Sequence, residues 1–125
     1  MPTLLRKAIF VYMKTKLTIL FSVVLLLMLI VTSWASMHES VLVGGEKLFA
    51  EPWGVATLAD TYFGFLTFYV WVAYKETTLV SRIGWFIGIM LLGNIAMAIY
   101  MLIQIKNSNG DMDSILLRKP RMKAT

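Results

Sequence analysis

The sequence predicts an all-α integral membrane protein with three transmembrane helices, the second and third paired as an antiparallel hairpin. Three observations predict it. Leu17 to Met37 runs 21 residues without Asp, Glu, Lys, Arg or His, and Ile83 to Ile105 runs 23 on the same terms. Between them, Pro52 to Tyr74 contains one such residue, Asp60. A hydrocarbon core of ~30 Å needs about 20 apolar residues in helical form. A helix also satisfies its backbone amides within one segment, as lipid requires. Composition agrees, with 58% hydrophobic and 15% charged residues against about 25% charged in ordinary globular domains.

With spans over 17–37, 53–74 and 83–105, residues 1–125 form a single membrane domain with basic tails at 1–16 and 106–125. No piece outside the spans is long enough to bury a core of its own. Cysteine is absent, which removes disulfides, thiolate nucleophiles and cysteine metal sites together. The net charge of +5 sits beside hydrophobic spans. Attraction to anionic lipid headgroups, at ~1 kcal/mol per Lys or Arg, accounts for it more simply than nucleic acid does.

Residues 1–16 carry Arg6, Lys7, Lys14 and Lys16 among Leu4, Leu5, Ala8, Ile9 and Tyr12. The apolar positions recur at helical spacing, so this stretch reads either as an interfacial helical turn or as an ordinary charged flank. The first span has a second reading, a secretory signal with a small-x-small site at Ser33-Trp34-Ala35. Its length and the anchoring Trp34 favour a retained helix. Residues 38–51 read as a polar connection, broken as a helix by Gly44-Gly45. Pro52 suits the first turn of the second helix, and Glu51 before it suits the positive end of the dipole. The eight residues from Lys75 to Arg82 favour a hairpin between helices two and three. After Ile105 comes a turn-forming cluster, Lys106 to Gly110, then the basic run Arg118 to Lys123. Counted across the membrane, Lys and Arg tie at six against six. The first helix and its close flanks then decide for a cytoplasmic N-terminus and an outside C-terminus, with the plasma (inner) membrane as location.

Asp60 is the sharpest single residue, because a charge near mid-membrane costs ~3 kcal/mol on insertion scales. Its expected partner is Asn94, at the midpoint of the third span. Gly84-x-x-x-Gly88 and the stripe Ala56, Asp60, Gly64 put small residues four apart, which lets helix backbones approach closely. Gly64, Gly84 and Gly88 are therefore candidate packing positions, within the hairpin or between copies. His38-Glu39 is the only His beside an acid and reads as a solvated loop pair. Asn107, Asn109, Asp111 and Asp113 alternate like a calcium loop, but Arg118 stands where a bidentate acid belongs. No nucleophile–base pair, phosphate loop or nucleotide fingerprint appears. The expectation is no enzyme, no cofactor and no metal.

The run Leu48-Phe49-Ala50-Glu51-Pro52-Trp53-Gly54-Val55, then Asp60, Gly64-Phe65, Tyr69-Val70-Trp71-Val72, Lys75-Glu76 and Gly93-Asn94, resembles a known pattern. It is similar to small multi-span membrane proteins of bacteria and plants classed as families of unknown function. The resemblance, over about 48–105, implies three spans and the Asp60–Asn94 pairing and supplies no activity. The expected role is structural, accessory or regulatory, through helix contacts with other membrane proteins or a second copy in the lipid bilayer. The alternative is a small oligomeric proton- or cation-coupled transporter using Asp60.

Overall fold

A computed structural model describes residues 3–108 and 112–118. The described residues are all-helical, in six helices: α1 (Thr3–His38), α2 (Val41–Ala50), α3 (Pro52–Lys75), α4 (Leu79–Leu92), α5 (Asn94–Lys106) and α6 (Met112–Leu116). Two of them, α1 and α3, are long and apolar enough to cross a membrane.

No Gly or Pro interrupts Thr3 to His38, so the basic flank and the first apolar run form one helix of 36 residues. Thr15 and Thr18 return their hydroxyls to the carbonyls of Val11 and Lys14, which satisfies them within the helix. The 38–51 connection is more ordered than its glycine pair suggests. Ser40 caps α2, its Oγ accepting from the Val43 amide at 3.2 Å, and the helix runs through both glycines. A glycine costs a helix only ~1 kcal/mol, which the cap and packing against α3 offset. Glu51 is extended (φ −116°), and Pro52 opens α3 as expected. The elbow is tight: a Cβ on Gly54 would collide with the Leu48 carbonyl.

The α3–α4 hairpin forms, with a connection of only Glu76, Thr77 and Thr78, the last capping α4 through Ser81 N–H. Its antiparallel register is fixed by two tyrosines. Tyr69 donates to the Arg82 carbonyl at 2.9 Å and Tyr62 to the Met90 carbonyl at 3.2 Å.

The third expected span is not one helix. Gly93 (φ 55°, ψ −122°) breaks it into α4 and α5. The chain then folds back on itself. A Cβ built on Gly88 lies 4.0 Å from the Ala96 Cβ, although eight residues of straight helix would span ~12 Å. The rings of Trp85 and Tyr100 are 4.8 Å apart, where a straight helix would separate them by ~22 Å. Phe65 of α3 sits under the turn, its Cζ 2.5 Å from where a Gly93 Cβ would be. At 14 and 13 residues, α4 and α5 reach ~20 Å each, short of a bilayer core of ~30 Å.

The core lies between α3, α4 and α5, where Val72, Ile89, Ala96 and Tyr100 are buried with Phe65, Phe68, Trp71 and Trp85 against them. A second cluster joins Phe10 of α1 to Ile105 and Ile115, with Leu17, Phe21 and Met101 beside it. The start of α1, the ends of α3 and α5, the start of α4 and all of α6 therefore meet at one end, the closed end. At the opposite, open end every residue of α1 from Leu29 to His38 is exposed.

Candidate functional site

Two places combine polar chemistry with tertiary structure. At the closed end, polar side chains bind the carbonyls that helix ends leave free. Arg82 Nε donates to the carbonyls of Ala73 and Glu76, each at 3.0 Å. Arg118 Nε donates to the Tyr74 carbonyl at 2.7 Å. Both guanidinium groups thus sit where the C-terminal dipole of α3 favours positive charge. Lys75 Nζ donates to the carbonyls of Ser114 and Leu117, and Trp71 Nε1 to that of Leu116 at 2.7 Å, so α6 is strapped to α3. Tyr100 is fully buried and donates to Glu76 Oε2 at 3.2 Å. Trp85, Trp71 and Phe68 surround its ring edge-on, at 4.8, 5.5 and 6.2 Å, the geometry aromatic quadrupoles prefer.

The open end holds a cleft of about 1080 Å³ between α1 and α3, which α2 joins at its far side. Val31, Ala35, Val55, Leu58 and Ala59 line its apolar depth, and Tyr62 stands at its floor, beside the Gly93 turn. Glu39, Lys47 and Glu51 line its mouth. Lys47 pairs with Glu39 across the start of α2. No hydrogen bond or ion pair among the described residues engages the Glu51 carboxylate.

The expected polar pair is not joined. Asp60 is exposed on α3, and Asn94 is exposed at the first position of α5, its side chain without a hydrogen bond among the described residues. Tyr62 faces α4, and Asp60, two residues earlier, lies about 160° round the helix from it. The two polar residues sit within a few turns in height, yet Asp60 is turned away from the hairpin. Nor does it line the cleft. The glycines divide similarly. Gly88 approaches Ala96 within the α4–α5 hairpin, whereas Gly64 and Gly84 have nothing within 4 Å of a built Cβ.

His38 ends α1 with Nδ1 2.8 Å from the Trp34 carbonyl, and Glu39 goes to Lys47. Of the alternating Asn and Asp run, Asn109 and Asp111 lie outside the described residues, as does the basic run after Arg118. Sequence reasoning missed Gly93, Glu76, Tyr100 and the cleft. A visible signal for the first was a glycine followed by Asn inside an apolar run, a pairing that suits a helix boundary better than a helix centre.

Residues 4–118 match the family described as "Protein of unknown function (DUF1475)", and the chain belongs to that family. No curated protein and no solved structure matches it.

Proposed function

We propose, from that membership and this geometry, a small multi-pass membrane protein with a structural or accessory role, acting through helix contacts in the plasma (inner) membrane. In this reading α1 and α3 cross the bilayer, and α4–α5 enters from the side of the N-terminus and turns back at mid-depth. The C-terminal segment then lies on the same side as the N-terminus, the cytoplasm, in place of the outside position expected for a straight third span.

The single observation that supports the reading is the fold-back at Gly93. With it, Arg6, Lys7, Lys14, Lys16, Lys75, Arg82, Lys106 and Arg118 fall at the closed end and Lys47 alone at the other. Over the same described residues a straight third span would give six against three, and the fold-back gives eight against one, as the positive-inside rule asks. The contact role draws on the outward face of α3, where Asp60 and Gly64 have no partner among the described residues. A carboxylate facing lipid is costly, and a neighbouring helix with a hydrogen-bond donor would relieve it. The transport alternative needs Asp60 in a wet cavity, and the cleft is lined without it.

Single-cysteine labelling tests the arrangement cleanly in a chain that has no Cys. Ser40→Cys should react only from outside and Ser108→Cys only from the cytoplasm. Ser108→Cys reacting from outside would restore three straight spans and sink this reading.

A further inference from the structure

We infer that the cleft at the open end seats one zwitterionic phospholipid bearing a primary amine, its acyl chains between α1 and α3 and its headgroup against Lys47 and Glu51. The inference rests on the membrane reading above. Three observations carry it.

The first is depth. From Pro52 at the rim to Tyr62 at the floor is ten residues, ~15 Å of helix, which is the hydrocarbon half-thickness of a bilayer of ~30 Å. Tyr62 at the floor is tied by its hydroxyl to the Met90 carbonyl of α4, so the lined part of the cleft is about one leaflet deep.

The second is the polarity gradient. Val31, Ala35, Val55, Leu58 and Ala59 line the deep part, and the charged side chains stand at the mouth. An acyl chain below and a polar head above match that order. A soluble polar metabolite would meet walls that are apolar apart from Thr32, Ser36, Ser40 and Tyr62, and a purely apolar helix would strand the charges.

The third is the charge at the mouth. Lys47 already pairs with Glu39 and keeps further N–H donors for a phosphate, and Glu51 offers to an ammonium a carboxylate that no described residue engages. Glu39, Lys47 and Glu51 together carry a net negative charge, which disfavours a lipid with a net anionic headgroup. A primary amine can also donate hydrogen bonds to Glu51, which a quaternary choline cannot, and such charge-assisted bonds are the strong ones.

The test is native mass spectrometry of the full chain released from nanodiscs containing equal parts phosphatidylethanolamine, phosphatidylcholine and phosphatidylglycerol. One retained ethanolamine lipid per chain is expected, about tenfold over the glycerol lipid, which corresponds to ~1.4 kcal/mol. Ala59→Phe fills the depth of the cleft and should lose the retained lipid, while Val70→Phe on an exposed face of α3 should not. Glu51→Gln should keep a lipid but erase the preference for ethanolamine over choline. Because Glu51 is exposed and its side chain makes no bond among the described residues, that variant decides the matter even if Ala59→Phe does not fold. Retention of the glycerol lipid as strongly as the ethanolamine lipid overturns the inference. So does an unchanged preference in Glu51→Gln, or a lipid-free dimer. Cysteine labelling reports separately on the membrane reading, so the two can fail independently.

Discussion

The closed and open ends of this molecule share the two long helices α1 and α3 and are built by opposite means. At the closed end Tyr100 is fully buried in an aromatic ring, and Arg82, Lys75, Trp71 and Arg118 each hold a helix-end carbonyl. At the open end α1 is exposed from Leu29 to His38, and α2 spans the gap between α1 and α3. Both ends are rich in apolar side chains, so hydrophobicity does not distinguish them. What differs is the number of backbone carbonyls that side chains bridge from one segment to the next. On the membrane reading proposed above, apolar burial gives little drive between helices, and packing and such bonds decide association. The difference therefore marks a fixed base and a wedge that stays open.

The largest way to break this comparison is Gly93→Ala. A Cβ there meets Phe65 at 2.5 Å, on a backbone at φ 55° that L side chains rarely adopt. Strain of this kind costs of order 1–3 kcal/mol, with the overlap added. Thermal unfolding in detergent should show a loss of about 3 kcal/mol, and a second change, Phe65→Ala, should recover the overlap but not the torsion. A Gly93→Ala protein as stable as the parent would mean that the hairpin does not close.

A direct contrast comes next. Trp85→Ala at the closed end should cost ~3 kcal/mol, as large-to-small changes in packed sites do. Val31→Ala, on a side chain 54% exposed, should stay within about 0.5 kcal/mol. Equal losses would show the open end to be packed after all.

Tyr100→Phe sharpens the polar half of the comparison. It removes the donor to Glu76, and a half-buried acceptor left without a partner costs ~1–2 kcal/mol. The same unfolding measurement checks it, and a neutral outcome would reduce the closed end to its aromatic packing. Smallest is Gly45→Ala in α2. Nothing lies within 4 Å of its built Cβ, so the change should stabilise α2 by ~0.5–1 kcal/mol. A loss there would mean that α2 needs glycine for a contact beyond this chain.

Much of the architecture was legible because long runs free of charge and of Pro read as long helices. The apolar runs give α1 and α3, Pro52 opens α3 where its missing amide costs nothing, and the short polar link after Tyr74 gives the α3–α4 turn. The break at Gly93 was not legible by the same rule. A run free of charges reads as one span whether its backbone is straight or folded, and the deciding contact comes from Phe65, 28 residues away. Gly44-Gly45 misled in the other direction, because the Ser40 cap and the elbow at Gly54 offset the glycines' helix cost. For the site, the Asp60–Asn94 pairing used height along the helices and ignored rotation about them. Asp60 lies on the far side of α3 from Tyr62, so closeness in height does not bring it to Asn94. The cleft was illegible because it is a gap between segments, and no local pattern encodes where two helices diverge.

The long α1 has a mechanical consequence. Phe10, Leu17 and Phe21 hold the first part of a rod that continues, without a Gly or Pro hinge, to His38. From Phe21 to His38 is 17 residues, ~26 Å. A rigid rod of that length turned by only ~5° about its held end carries its far tip ~2 Å. The width of the cleft is thus geared to packing at the opposite end of the molecule. A methyl group gained or lost beside Ile105 would be passed along the rod to where α1 meets α2.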